Sequence, residues 1–332
     1  MQDERTRNYI VDQTNKVWAK AIRKKECMHP EAPTNCSKNF GRAHSIQRSK
    51  LKRISENGKV LKVSTDSMTG SPSVEPVGIK PASTFYGFCN SHDNTLFASI
   101  EKSTLALNKE TALLLAYRGM SIHMYYKRRR NETNLFRTLS RDSIPPLLKQ
   151  NDELIRFGLN RLLHFAEPTY ERMGIAILQR NFSNVYYFAL IFNCVPDILC
   201  SEVSMINFGF QGSLVRENPQ PYDFITFSLL PYKHQLGIAV FAWHGKCQTN
   251  ENFLKSLLSQ GQREYPDAIV RFVFRYLSNY FISPKWWRRL PQYKKDSLWS
   301  KAIDRSMLVD LTDDSQRYVN WKVTDIKANL KL

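Results

Sequence analysis

Four residues of this chain have the types and the spacing to hold one metal ion. They occur as Cys27-x8-Cys36, a long gap, and then Cys89-x2-His92. Structural zinc takes four tetrahedral nitrogen and sulfur ligands, usually supplied as two close pairs. The Cys89-x2-His92 spacing brings both side chains to one ion at a helix start, where free backbone N–H groups favour a thiolate. The Cys27–Cys36 spacing is wider, but the segment CMHPEAPTNC holds two prolines and can close as a loop around a metal. His29 is the rival for a ligand position, and otherwise is a loop residue or part of the shell around the ion. Cys194, Cys200 and Cys247 lie in or beside apolar runs and read as small buried hydrophobes. His244 lies close to Cys247, but no second pair nearby completes a site there. One structural Zn2+ is therefore the expected cofactor.

His44 lies between the two ligand pairs in Arg42-Ala43-His44-Ser45-Ile46. A histidine there can serve as a general base, or it can be a structural imidazole that bonds a backbone carbonyl or completes the zinc shell. Arg42, Arg48, Lys50, Lys52 and Arg53 surround it in sequence and could anchor phosphate. The order of features is a cysteine pair, a strand ending in histidine, a further strand, and a helix opening with Cys-x2-His. That order resembles a treble-clef zinc module and, more loosely, the HNH (ββα-metal) endonucleases, over about residues 27 to 102. Ala43 stands where that family has Asp or His. The resemblance implies that His44 is the base acting on water. It also implies that Asp93 or Asn94 binds a second, catalytic divalent ion, Mg2+ or Mn2+. The segments AHSIQ and STFYGFCNSHDN also resemble parts of bacterial proteins of unassigned activity. The nuclease likeness suggests a place in bacterial defence.

The chain has 332 residues and a formal net charge of +18. Residues 1 to 63 alone hold 15 Lys and Arg against 6 Asp and Glu. Such a field favours phosphate polyanions, so DNA or RNA is the expected partner, with a protein partner or a second copy of the chain compatible. Lys127-Arg128-Arg129-Arg130 ends a long helix and adds a further cationic cluster. Trp286-Trp287-Arg288-Arg289 either stacks bases or seats a helix on the core, the second being the commoner use of such a pair. No Gly-rich phosphate loop, G-x-S-x-G elbow or H-E-x-x-H is present, so ATPase, serine hydrolase and zincin chemistry lack support. The function expected is a zinc-binding, nucleic-acid-interacting protein with HNH-like nuclease activity. The competing reading is a non-catalytic zinc-stabilised scaffold, and a third places a catalytic pocket of unknown type in the C-terminal region.

These residues need elements to position them. Periodicity predicts helices over 3–26, 50–55, from 91, over 108–130 and 148–179, and then over 251–258, 267–281 and 284–304. Strands are predicted near His44 and over 59–63, 185–192, 223–230 and 236–243, the last two as a hairpin turning at 231–235. Ser64 to Pro81, rich in Ser, Thr, Pro and Gly, reads as a surface loop. The fold class is α+β: a treble-clef-like, zinc-stabilised module over 1–104, then a larger mixed α/β domain over 105–332 with a small antiparallel sheet and flanking helices. No run approaches the ~20 apolar residues that cross a bilayer, and the charged start MQDERTRNYIVDQ lacks a signal-peptide core. A cytoplasmic protein without a membrane partner is expected.

Overall fold

The computed structural model describes residues 2–65, 72–101, 105–139, 146–216, 223–303, 311 and 315–332. The chain opens with α1 (Gln2–Ala21), and an irregular loop then carries Cys27 and Cys36. Next come β1 (Ala43–His44), α2 (Arg48–Lys52), β2 (Lys59–Thr65), β3 (Pro72–Gly78), β4 (Thr84–Phe85) and α3 (Asn90–Glu101). Two long helices follow, α4 (Lys109–Leu139) and α5 (Pro146–Leu178), packed against each other. The rest runs β5 (Val185–Phe192), β6 (Ile198–Met205), β7 (Phe224–Tyr232), β8 (Leu236–His244), α6 (Gln248–Leu258), α7 (Tyr265–Tyr276), β9 (Tyr280–Ile282), α8 (Pro284–Arg289), α9 (Gln292–Ile303) and β10 (Val323–Ala328). The class is α+β, as expected.

The sheet is much larger than expected. Eight strands lie in the order β10-β5-β8-β7-β6-β9-β2-β3, every neighbouring pair antiparallel. β7 and β8 form the anticipated hairpin, with Tyr232 opposite Leu236. The hairpin of β2 and β3 joins the same sheet through β9, where Leu61 faces Ile282. β3 corrects the expectation of a loop from Ser64 to Pro81. Its sequence, PSVEPVG, has two prolines and no alternation, which reads as irregular. Proline is tolerated there because β3 is the outermost strand. Residues 66–71 of the expected loop lie outside the described residues.

The central strands are buried along nearly their whole length because helices cover both faces, and β5 and β8 are almost wholly apolar. Successive side chains alternate: Val185, Ala189 and Ile191 of β5 join one core, and Phe188, Leu190 and Phe192 join the other. The first core is shared with α3, α4 and the cysteine-bearing segments, through Phe97, Tyr117, Met120 and Met28. The second is filled by α6 and α7 around Phe253, Phe272 and Phe241, whose rings lie 5.5–5.9 Å apart. Each such buried side chain contributes about 1.5–3 kcal/mol. α4 rests on one face of the sheet with α3 packed against it, and so sets where the candidate site stands.

Candidate metal centre

The four candidate ligands come from two stretches of chain that local hydrogen bonds clip together. The Glu26 N–H donates to the Tyr86 carbonyl at 3.0 Å and the Met28 N–H to the Gly87 carbonyl at 2.8 Å, setting Cys27 beside Cys89. Gly87 is required at this crossing, since a Cβ there would fall 2.1 Å from the Phe85 ring. The Asn90 N–H donates to the Asn39 carbonyl at 2.9 Å, and Asn90 Oδ1 accepts from the Gly41 N–H, so the segment after Cys36 is tied to the start of α3. Cys89 immediately precedes α3, and His92 lies on its first turn.

The result is a compact cluster of three sulfurs and one ring nitrogen. His92 Nδ1 lies 3.4 Å from Cys27 Sγ and 3.6 Å from Cys36 Sγ, and all four ligand atoms fall within 4.8 Å of one another. Zinc bonds of about 2.3 Å to sulfur and 2.0 Å to nitrogen put tetrahedral ligand atoms about 3.5–3.8 Å apart, so the spacing fits. Cys89 and His92 are buried, while Cys27 and Cys36 are half-buried. Burial raises the Cys27 pKa, and burial together with the Cys27 thiol pushes Cys36 up to about 12. Burial also acts to raise Cys89, but the backbone N–H groups of His92 and Ser37 outweigh it and hold this thiol below its ordinary value. A cation between the sulfurs would compensate what burial costs the thiolates. The cluster can hold a structural metal ion, and its donor set suits zinc.

His29 lies at the edge of this centre. Its ring stacks on His92, centroid to centroid at 3.8 Å and 6° from parallel, and its Nδ1 accepts the Glu31 N–H at 3.2 Å. Burial, with His92 beside it, lowers its pKa to about 4. His29, Glu31 and His92 also come within metal-binding reach, but that set shares His92 with the sulfur cluster.

A second group of polar side chains forms behind the metal centre. His44 ends β1 opposite Thr84 of β4, and its Nε2 is buried without a hydrogen-bond partner. The imidazole bonds the Lys80 backbone, which leaves Nδ1 as the bonded nitrogen. Burial and the Arg118 charge hold His44 below its ordinary pKa, so the neutral ring is favoured. Asp93, on the first turn of α3, likewise has a buried Oδ1 with no partner. The charges of Arg118 and Glu101 act on His44, Lys50 and Asp93 alike, which places all five side chains in one neighbourhood. Arg118 is 3% exposed, pairs with Glu101, and sets its guanidinium 4.1 Å from the centre of the Phe97 ring. Lys50 Nζ donates to the Ile100 carbonyl at 3.1 Å, and burial lowers its pKa to about 8. Asn94 is exposed. Sequence reading passes over Arg118 and Glu101; the signal is a charge at 118 inside the apolar run ALLLAYRGM.

The other cationic candidates divide into two sets. Arg42 donates from Nε to the Tyr86 hydroxyl at 3.1 Å, Arg53 donates to the His234 carbonyl at 2.6 Å, and Arg48 and Lys52 are exposed. In the second set, Arg128 pairs with Glu26 at 2.8 Å and Glu167 at 3.4 Å. Arg129 is 1% exposed and held between Glu26 and Glu132. These pairs bind α4 to α5 and to the loop after α1. Lys127 is half-buried and Arg130 exposed. Cys200 is buried, with Cys194 and Cys247 half-buried, and no metal cluster among the described residues includes them or His244. No helix among the described residues is long and apolar enough to cross a membrane. No family model, curated protein or solved structure matches this chain.

Proposed function

We propose that this chain is a zinc-stabilised, nucleic-acid-interacting protein in which His44 is the general base of an HNH-like phosphodiester hydrolysis. The observation that carries the reading is the state of His44: one ring nitrogen engaged by the Lys80 backbone, Nε2 bare, and the Arg118 charge acting on it as it acts on Asp93. Leaving a buried polar atom unpaired costs about 1–3 kcal/mol, and such exceptions call for a reason beyond packing. Neutral His44 would take a proton from water at Nε2 as the water oxygen attacks phosphorus. Arg118 and Lys50 would offset the charge that builds on the phosphoryl oxygens. A divalent ion such as Mg2+ or Mn2+, when bound, supplies charge for the departing oxygen; Asp93, with its unpaired Oδ1, is the residue that would hold it. The structural zinc acts at a distance, by fixing the start of α3 and therefore Asp93. A role in bacterial defence would follow from cleavage of foreign DNA.

The test is a plasmid-nicking assay with Mg2+ or Mn2+. Metal-dependent loss of supercoiled DNA should fall at least about a hundredfold in His44→Ala, with folding and zinc content retained. Undiminished cleavage in that variant would remove His44 from the chemistry. One observation favours the scaffold reading: His44 Nε2 is buried, so water must gain access before it can react. That reading expects salt-sensitive DNA binding with no cleavage under any divalent ion.

A further inference from the structure

A second candidate site lies in the C-terminal half, on a cavity of about 450 Å³ between α8, the start of α9 and residues 317–321. It is built on the Trp-Trp-Arg-Arg segment. Trp286 is buried and donates from Nε1 to the Tyr318 carbonyl at 3.0 Å. The Trp287 ring packs on Phe274 at 6.3 Å and Trp299 at 5.4 Å. The tryptophans therefore seat the short helix, and the cations around them are sorted by their partners. Arg288 is spent on Glu56, with Nη2 at 2.7 Å from Oε1. Lys285 and Arg289, four residues apart and both exposed, line the cavity instead.

Charge in the cavity is unbalanced. Lys285, Arg289, Lys294 and Arg317 line it, and among the described residues Asp197 is the only acidic one that does. Arg317 is neutralised outside the cavity by Glu264 and Asp267. Lys294 donates to the Arg317 carbonyl, which spends one of its hydrogens and none of its charge. Asp197 already accepts the Trp321 indole N–H at 2.9 Å, and Lys285 and Arg289 reach it only through the longer-range field. One carboxylate thus stands against three cations that no ion pair among the described residues cancels. The volume lies within the ~300–1,000 Å³ of small-molecule sites and is larger than a bare phosphate needs. Aromatic side chains complete the wall through Trp286, Tyr318 and Trp321.

We propose that this cavity binds a nucleotide, its phosphate held by Lys285, Arg289 and Lys294 and its base set toward the aromatic wall. A nucleoside 5′-phosphate is offered both by a free mononucleotide and by the 5′ end of a strand. The site does not depend on His44 or on the nuclease reading.

The test is calorimetric titration of the zinc-loaded full chain with AMP, with inorganic phosphate, and with short oligonucleotides bearing either a 5′-phosphate or a 5′-hydroxyl. AMP should bind saturably, with phosphate alone weaker. The Lys285→Ala/Arg289→Ala double variant, which alters two exposed side chains, should weaken AMP at least tenfold with an unchanged melting temperature. Arg288→Ala should bind AMP as the wild type does. An advantage of the 5′-phosphorylated strand over both AMP and the 5′-hydroxyl strand would assign the site to strand ends; equal binding of AMP and that strand would assign it to mononucleotides. Failure of the wild type to bind AMP or the 5′-phosphorylated strand at millimolar concentration would overturn the proposal. So would an equal loss of affinity in Arg288→Ala and the double variant. Because the readout is binding without cleavage, a negative result here leaves the His44 reading untouched, and inactive His44 leaves this site untouched.

Discussion

At the scale of single residues, Cys89 differs from the other cysteines by what its surroundings do to charge. The chain folds two N–H groups onto its sulfur and sets Cys27, Cys36 and His92 around the same point. Losing one ligand from such a site removes metal binding and folding energy together. Cys89→Ser should therefore lose zinc and cost at least about 3 kcal/mol in denaturant unfolding, whereas Cys194→Ser should cost about 1 kcal/mol or less. Equal effects from the two would contradict the metal centre. All four members of the cluster are legible in the sequence as candidate ligands, because burial alone seldom puts a cysteine pair and a Cys-x2-His among polar residues. The stacking of His29 on His92 is not, since spacing alone does not say which of two nearby histidines turns toward sulfur. Arg118 escapes notice for a related reason: within a helix it reads as one more cation, and only its burial over Phe97 marks it.

At the scale of elements, most helices are legible from their 3.6-residue period and the central hairpin from its apolar runs. The helix expected over 267–281, however, ends at Tyr276 before β9, and the one expected over 284–304 divides at Pro291 into α8 and α9. β6 is not legible, because Ser201, Glu202 and Ser204 interrupt its pattern and are nonetheless buried. Glu202 explains how. Its carboxylate accepts the Ser278 N–H at 2.6 Å, the Asn279 N–H at 2.8 Å and the Ser278 hydroxyl at 2.9 Å, with His123 at 3.7 Å. Asn279 in turn donates to the Ser45 hydroxyl, next to His44, at 2.8 Å. A polar pair of turns thus joins β6 and the lead-in to β9 to the strand that carries His44. Burial acts to raise the Glu202 pKa, but His123 and the two backbone donors outweigh it and hold it below the ordinary 4.5. A depressed carboxyl stabilises the fold fully above its unfolded value, and that contribution is lost as pH falls through the folded one. Glu202→Gln should cost about 2 kcal/mol at pH 7, with the gap to wild type narrowing as pH falls below the ordinary 4.5. A gap that stays constant across pH 3–7 would refute this role of Glu202 in β6.

At the scale of the whole molecule, two facts organise the chain. One is a sheet covered on both faces, in which β2 and β3 from the cysteine-bearing region extend the strands of the C-terminal half through β9. That continuity is invisible in sequence because β9 is three residues long and follows α7 after only three residues, Leu277 to Asn279. The other is a net charge of +18 that is not evenly available. Arg128 and Arg129 are committed to carboxylates, while Arg48 and Lys52 are exposed near His44 in sequence. If the latter carry nucleic acid, Arg48→Ala/Lys52→Ala should weaken DNA binding uniformly across sequences and flatten its salt dependence by about two phosphate contacts. Arg129→Ala should instead lower stability by about 2 kcal/mol and leave that slope unchanged. The reverse pattern would move the nucleic-acid surface to the end of α4.

On the proposed reading, the fold of the cysteine-bearing region and the position of Asp93 on the first turn of α3 rest on the metal centre, and metal content tests it most directly. Elemental mass spectrometry of the purified full chain, with His44→Ala and Cys89→Ser alongside, counts the metal. About one zinc per chain is predicted in the wild type, kept in His44→Ala and lost in Cys89→Ser. A wild-type chain purified without zinc, and unable to take it up at stoichiometric concentration, would contradict the metal centre.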